Sequence, residues 1–402
     1  MTIQQFCIAL GAAATLGAVQ AHPVAAPAPP ATWPAGRTPA QVIDPRAASQ
    51  AGMPERQALL QAAETALERG MVSTAILGFE QAATMLHAPD TEMGLVRAWM
   101  QAGEYRRALA FCAHTAGAHL DSPPASALYA WLLRIGGQGS FASRVLAQTA
   151  ERAPADPVVA AVRQAFESAS PTASPGLLAT PHRMAPQATL RGTGQLPPAD
   201  AQLVSSGVLL GAGDVALVPL SSITGGRRFW VRDGLGRTAE AFVDTAPDAL
   251  LRAAGFAALH LPSGFGPRPI AWAPKDPFAG SPGFVVAYAA SPEAGPAWPW
   301  LGQGFFGAFD GDAGMRKLGM ILPAALYGGP VLNAQGQLAG IALPGPANQG
   351  RMAPVSMFAA FARDHAGAAQ PAPDSDGPVA RIAPDQAYEQ ALQIALQVIV
   401  LH

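Results

Sequence analysis

The chain has 402 residues, which is too long for one compact domain and suits two domains joined by linkers. Charged residues make up only 13% of it and the formal net charge is −2, so the chain has no basic field and nucleic acid is not an expected partner. The 39 prolines and 42 glycines cluster in segments that indicate linkers and turns.

Residues 1–21 are typical of a secretory signal peptide. The stretch 6–21 is apolar, uncharged and rich in small residues, and Val19-Gln20-Ala21 fits an A-x-A-like cleavage site. No Lys or Arg precedes this stretch, so an uncleaved anchor is the alternative. Because the apolar run is short for a membrane span of about 20 residues, cleavage is favoured. We therefore expect a periplasmic or secreted protein with no transmembrane segment after cleavage.

The chain contains two cysteines, Cys7 and Cys112. Removal of residues 1–21 would leave a single thiol, so no intramolecular disulfide is expected. Cys112 lies on an apolar helix face, which favours a buried and inert thiol over a nucleophile.

An Ala/Pro-rich spacer at 22–53 precedes a helical region at 54–167. Here a glycine followed five residues later by alanine recurs at spacings of 33 and 34 residues, as Gly70/Ala75, Gly103/Ala108 and Gly137/Ala142. Antiparallel helices need glycine at their turn and small residues where they cross, and such short units bury their faces by stacking. The pattern resembles three tetratricopeptide repeats. A plain helical bundle with chance spacing is the alternative.

The tetratricopeptide resemblance implies a binding groove, because the first helices of the units line a concave surface in such arrays. By spacing, the residues that would face the groove are Leu60, Gln61, Glu64, Met93, Arg97, Trp131 and Arg134. Such grooves commonly hold extended peptides or partner helices, so the resemblance implies a protein or peptide partner. Alternatively, these residues pack against the chain's own linker or tail.

After a predicted linker at 168–200, residues 201–365 consist of short apolar runs that alternate with Gly, Pro and Asp turns. Many short strands at this spacing indicate an all-β barrel or sandwich, closed by a short helix at 357–363.

A further Ala/Pro/Asp linker is predicted at 366–384, and residues 385–402 predict an amphipathic tail helix with Asp385 as its N-cap. Its apolar face would carry Tyr388, Leu392, Ala395, Leu396 and Ile399. This face is apolar enough to fill the predicted groove, so the tail is a candidate for self-binding.

The segment Ala325-Leu326-Tyr327-Gly328-Gly329-Pro330, followed by a strand, a turn and a second strand, carries the most specific motif. It resembles the Gly-Asn-Ser-Gly-Gly-Pro nucleophile segment of trypsin-like serine peptidases. Weaker matches lie at 206–218, 231–237 and 255–261, which resemble the opening hairpin, a charged turn and the strand of the catalytic Asp. The resemblance covers 201–365 and implies a trypsin-like double β-barrel, so the fold class is multidomain, with all-α helical repeats followed by an all-β domain.

The resemblance places the catalytic His, Asp and Ser positions at Ser221, Gly255 and Tyr327. A triad needs a nucleophile, a base within hydrogen-bond reach and a carboxylate that orients the base, and these three residues supply none of that set. The sequence also has no histidine between His182 and His260. The motif that indicates the fold therefore argues against serine-peptidase catalysis.

No other catalytic pattern stands out, and we expect neither a metal nor a cofactor. Cys/His metal spacing and Gly-rich phosphate loops are missing from the sequence, and Asp310–Gly314 is more typical of a turn than of a calcium loop. The predicted function is a non-catalytic secreted or periplasmic adaptor or scaffold. The alternatives are a serine endopeptidase that uses Ser221 or Ser222, and a structural subunit of an envelope enzyme complex.

Overall fold

A computed structural model gives the fold. It describes residues 52–167, 189–193, 196–243, 249–262, 264–266, 271–310, 314–320, 322, 326–345, 350–361 and 380–402. The predicted signal peptide, most of the spacer at 22–53 and most of the two linkers lie outside the described residues. Two parts of the first linker are described, 189–193 and 196–200, and the first differs from the prediction because Thr189–Thr193 is a strand, β1.

Residues 52–167 form a helical repeat region of seven α-helices. They are α1 Met53–Glu68, α2 Val72–Met85, α3 Pro89–Ala102, α4 Tyr105–Ala118, α5 Pro123–Ile135, α6 Gly139–Arg152 and α7 Pro157–Glu167. Gly70, Gly103 and Gly137, which the sequence placed at turns, each have a positive φ of 71°, 83° and 80°. Glycine adopts this conformation without a Cβ penalty and so ends the first helix of each pair.

The second helices of the pairs bury the small residues that recur in the sequence. Ala75, Ala108 and Ala142 are fully buried. A Cβ added at Gly94 would lie 2.3 Å from the ring of Phe79, so glycine is what lets α2 and α3 approach each other. The repeating glycine and alanine positions therefore act as close-packing positions between antiparallel helices.

Six strands form the first barrel. They are β2 Gln202–Leu210, β3 Val215–Pro219, β4 Arg228–Asp233, β5 Arg237–Val243, β6 Phe256–His260 and β13 Ala395–Leu401. Their order is β5-β4-β13-β2-β3-β6, the β5–β6 pairing closes the ring, and β1 adds to β5 in parallel. Two short helices lie between these strands, α8 Leu220–Ile223 and α9 Ala249–Ala253.

The predicted tail helix at 385–402 is wrong in its second half. Helix α10 spans only Pro384–Leu392, and the chain then forms strand β13 between β2 and β4. Residues 395–400 are fully buried, including both faces of the strand. A short apolar run with successive β-branched residues fits a helix face and a buried strand equally well by periodicity, and pairing on both sides selects the strand.

The second barrel consists of β7 Pro282–Ala287, β8 Trp300–Asp310, β9 Met315–Gly319, β10 Pro330–Asn333, β11 Leu338–Leu343 and β12 Arg351–Pro354. The strands close in the order β10-β11-β12-β9-β8-β7. A 3₁₀ helix at Val355–Phe358 follows, close to the predicted closing helix. Two six-stranded antiparallel barrels confirm the predicted double β-barrel.

The helical repeats and both barrels belong to one compact unit, Ala48–His402. The turns that end α3 and α5 meet the barrels, since Gln101 donates a hydrogen bond to the Leu235 carbonyl and Gln303 Nε2 donates to the Gly137 carbonyl at 2.8 Å. Helix α10 packs on α4 through Tyr388, whose ring centroid lies 4.4 Å from that of Tyr105. Among the described residues, no helix combines the length and apolarity that a membrane crossing requires.

Candidate functional site

Two of the three predicted triad positions are neighbours at one end of the first barrel. Ser221 lies in α8, directly after β3, and Gly255 ends the turn before β6. The backbone N–H of Leu220 donates to the Gly255 carbonyl at 2.8 Å, which joins the two segments. The β3–β6 ladder thus places the predicted His and Asp positions, Ser221 and Gly255, side by side.

The third position, Tyr327, reaches the same end from the second barrel. Its carbonyl accepts a hydrogen bond from the N–H of Ser206 at 2.9 Å. Gly328 has a φ of 87°, and a Cβ there would lie 2.0 Å from the Ser206 carbonyl oxygen and 3.0 Å from Cδ of Pro219. Only glycine fits this close approach, so the segment before β10 is held against β2 and the start of α8.

At this barrel junction, where Ser221, Gly255 and Tyr327 lie, the described side chains do not form a nucleophile–base pair. The phenol of Tyr327 donates a 3.3 Å hydrogen bond to the Val204 carbonyl and so satisfies the backbone of β2. Ser222 is buried, and its Oγ has no hydrogen-bond partner among the described residues. Within those residues no hydrogen bond joins Ser221 or Ser222 to an imidazole. A serine hydroxyl without a base is a weak nucleophile at neutral pH.

The nearest histidine in this part of the sequence, His260, is at the far end of its strand. It is the last residue of β6, whereas the triad positions lie at the first residue. Four residues of extended strand separate the two ends by roughly 13 Å. His260 therefore lies away from the three predicted triad positions.

A buried charged cluster in the first barrel is structural. Burial raises the pKa of Asp233, although Arg237 opposes that shift, and burial lowers the pKa of Arg232 to about 10. Asp233 Oδ1 accepts the N–H groups of Leu235 and Arg237 at 3.0 and 2.9 Å, while Arg232 donates to the Ala294 carbonyl at 2.7 Å. Shifted pKa values can indicate a functional site, but these groups stabilise the β4–β5 turn and its surroundings.

The predicted groove residues do not line an open surface. Met93, Arg97 and Trp131 are only 3%, 6% and 1% exposed. They lie on α3 and α5, whose residues are buried along most of each helix. Repeat spacing predicted that they lie on the inner helices of the array, and in this structure both helices are covered by their neighbours. These three side chains are therefore not accessible in the described structure, and the partner-binding groove stays a prediction.

The other four predicted groove residues are Leu60, Gln61, Glu64 and Arg134, and two of them make side-chain contacts within the helical region. Arg97 donates to both carboxylate oxygens of Glu64, and the bond from Nη1 is 2.9 Å long. Arg134 donates to the Phe166 carbonyl at 3.1 Å and stacks 4.6 Å from the Phe166 ring centroid. Leu60 is half-buried and Gln61 is exposed. Of the seven residues, only Gln61 presents a freely accessible side chain.

A second polar group lies in the helical region, where the sequence predicted no metal site. His87, Glu92 and His119 place one nitrogen or oxygen atom each within 4.8 Å of one another. Their spacing of 5 and 27 residues matches no common ligand motif, so sequence reasoning missed the group. The repeat itself brings the residues together, because His87 precedes α3 and His119 follows α4.

No known family profile matches the chain, and no curated protein matches it either. Solved structures do. One is "Crystal structure of MamO protease domain from Magnetospirillum magneticum (apo form)", with 21% identity and a TM-score of 0.32 over 42% of this chain and 92% of that one. Another is "Crystal structure of Rv3671c protease, inactive form", with 16% identity and a TM-score of 0.32 over 40% of this chain and 89% of that one.

Proposed function

We propose that this protein is a non-catalytic scaffold built on a trypsin-like double barrel, which binds a partner protein through its helical repeats. The observation that carries the proposal is the replacement of all three catalytic groups at the barrel junction. Ser221, Gly255 and Tyr327 offer no base, no carboxylate and no alkoxide nucleophile there.

The junction is also filled in a way that suits a structural role. The Tyr327 phenol bonds the Val204 carbonyl, and the Gly328 backbone packs on Ser206. A reactive serine must stand free beside a base and an oxyanion-binding pocket. Here the same loop fixes the two barrels to each other instead, which favours a rigid scaffold.

We assign the helical repeats to the tetratricopeptide type. Support comes from three glycine-ended first helices at 33- and 34-residue spacing, each followed by a buried alanine five residues later. Gln101 of the repeats donates a hydrogen bond to the first barrel, and Gln303 of the second barrel donates one to the repeats. A partner bound to the repeats would therefore be held in a fixed position relative to the barrels. That geometry suits an adaptor.

The partner surface must consist of exposed residues, since Met93 and Trp131 are buried. On α1, Gln61 and its neighbour Ala62 are both exposed and face away from the core. We place the partner contact on this side of α1 and expect a protein or peptide partner, as the repeat type suggests.

We further propose that the protein works in the periplasm or is secreted. The apolar, small-residue segment at 6–21 with Val19-Gln20-Ala21 supports this location. Cys112 is buried and forms no disulfide among the described residues, which fits a fold that is held by core packing alone.

The catalytic part of the proposal is tested by peptide and casein hydrolysis with the purified full chain, beside a Ser222→Ala variant and an active trypsin-like peptidase as positive control. We expect wild type and Ser222→Ala to give equal background rates. Substrate hydrolysis by the wild type that is abolished in Ser222→Ala would establish the alternative function, a serine endopeptidase with unconventional catalytic residues.

The adaptor part is tested by crosslinking and affinity purification from the native envelope, with the double variant Gln61→Arg/Ala62→Arg as comparison. Both positions are exposed, so the charges do not disturb the core. We expect a protein that the wild type captures to be lost in the variant and to bind purified wild type directly. Equal capture by both would place the binding surface elsewhere and refute the assignment to α1.

A further inference from the structure

The cluster of His87, Glu92 and His119 lies at the end of the helical repeats that is opposite to the barrel contacts. His87 belongs to the turn between α2 and α3, Glu92 to the first turn of α3, and His119 to the turn after α4. The barrel contact of α3 is made by Gln101, nine residues beyond Glu92, or about 14 Å along the helix axis. The cluster is therefore independent of the barrel junction.

The three side chains converge on the Glu92 carboxylate. His87 Nε2 lies 2.5 Å from Glu92 Oε1, and His119 Nε2 lies 3.5 Å from Glu92 Oε2. The imidazole rings of His87 and His119 have their centroids 4.8 Å apart. Two imidazole nitrogens and one carboxylate thus face a common point from three different segments of the chain.

The central carboxylate is buried without its full set of partners. The Glu92 side chain is 4% exposed and that of His119 is 13% exposed, whereas His87 is 63% exposed. Glu92 Oε2 and His119 Nε2 are both buried and face each other at 3.5 Å, but neither has a hydrogen-bond partner among the described residues. A buried carboxylate oxygen without a partner costs free energy, which a cation at the point of convergence would offset.

We propose that His87, Glu92 and His119 form a binding site for a divalent transition-metal ion of the zinc class. Imidazole nitrogen suits zinc, copper and nickel, whereas calcium and magnesium prefer oxygen donors. Zinc bonds of about 2.0–2.1 Å in tetrahedral geometry place neighbouring donor atoms about 3.3 Å apart. The Glu92–His119 separation is close to that value, and the exposed His87 ring has room to adjust.

The bound metal would join two successive turns of the repeat region. His87 precedes the second helical pair and His119 follows it, so one ion would bridge both connections across the start of α3. Three protein ligands leave a fourth position for water or for a donor from a partner. The metal site would therefore stabilise the second of the three helical pairs. It lies at the ends of these helices that point away from the barrels.

The test uses the full chain without a polyhistidine tag, stripped of metal and titrated calorimetrically with zinc chloride and, separately, magnesium chloride. Wild type is expected to bind one zinc ion and no magnesium. His87→Ala is the diagnostic variant, because this side chain is exposed and its loss leaves the fold intact. Its affinity for zinc should fall roughly tenfold or more, as expected when a ligand or its orienting group is lost.

His114→Ala is the matched control, because His114 is an exposed histidine whose ring centroid lies 6.1 Å from that of His87 but which does not belong to the cluster. Its zinc affinity should equal that of the wild type. A Glu92→Gln variant that remains folded by circular dichroism should lose affinity as His87→Ala does. The proposal is overturned if wild type shows no saturable zinc binding, as for a cluster held by hydrogen bonds alone, or if His87→Ala and His114→Ala behave alike.

Discussion

Strand β13 gives the sharpest prediction, because a strand and an amphipathic helix bury different residues of the same segment. As a strand, it buries Val398 and Ile399 on opposite faces, and both are fully inaccessible. Val398 pairs with Ser205 and Val231, and Ile399 pairs with Leu203 and Trp230. A tail helix with its apolar face at Leu396 and Ile399 would leave Val398 off that face.

The expected destabilisation follows from this two-sided burial. Ile399→Ala should cost 2–5 kcal/mol, which is roughly the range for a fully buried aliphatic side chain cut to alanine. Val398→Ala removes two methyl groups, for about 1.6 kcal/mol in transfer free energy at about 0.8 kcal/mol per group, and the cavity raises this to about 2 kcal/mol. A Cβ placed at Gly207 would lie 3.2 Å from Cγ2 of Val398, so the site is tightly packed.

The assay is urea unfolding of the full chain, followed by tryptophan fluorescence, since Trp230 is buried beside Ile399. Gln202→Ala is the control, because Gln202 is exposed on the neighbouring strand β2 and its loss should change stability by less than about 0.5 kcal/mol. A cost above 2 kcal/mol for Ile399→Ala with no cost for Val398→Ala would show one-sided burial and refute the inserted strand.

Three further predictions address the repeats and the barrel junction. Arg97→Ala breaks an ion pair in which Arg97 is buried and Glu64 is partly buried, and it should lower the free energy of unfolding by roughly 3 kcal/mol. Urea titration against the exposed control Arg163→Ala measures this, and a loss below about 1 kcal/mol would mean that solvent screens the pair. Gly328→Ala forces a Cβ onto backbone at a φ of 87°, so it should cost clearly more than Gly225→Ala, which has a φ of 81° but open space around its Cβ and should cost about 1–2 kcal/mol; equal thermal shifts would contradict the close approach at the junction. Burial raises the pKa of the Cys112 thiol, so iodoacetamide at pH 8 should leave it unmodified in the folded protein and alkylate it in urea, as peptide mapping would show; modification in the folded state would mean that α4 is exposed.

The features that could be predicted from the sequence are those that depend on local backbone geometry. Gly70, Gly103 and Gly137 end helices because a positive φ is needed there, and glycine spacing reveals this directly. The Gly-Gly-Pro motif indicated the double barrel for the same reason, since Gly328 must let the chain pass close to Ser206. At such positions the residue type itself indicates the backbone conformation or the close approach.

Features that depend on which segments meet were not predictable. The apolar run at 395–401 becomes a strand because it pairs with β2 on one side and with β4 on the other. The local sequence of the run does not indicate these two partner strands. Met93 and Trp131 lie on the predicted inner helices, but repeat spacing does not reveal that those helices are covered.

The group of His87, Glu92 and His119 was missed for the same reason. Its members come from two different turns and one helix start, and only the stacking of the repeats brings them together. Charge and residue type at each position gave no signal, since an isolated histidine in a turn is common on protein surfaces.

The most direct test of the central claim, that the barrel junction is not catalytic, is intact-protein mass spectrometry after treatment of the full chain with a fluorophosphonate that labels activated serines. Neither Ser221 nor Ser222 has a hydrogen bond to an imidazole among the described residues, so the mass should not change while an active trypsin-like peptidase in the same tube is fully labelled. Stoichiometric addition of one phosphonyl group at Ser221 or Ser222 would contradict the scaffold account and establish a working nucleophile.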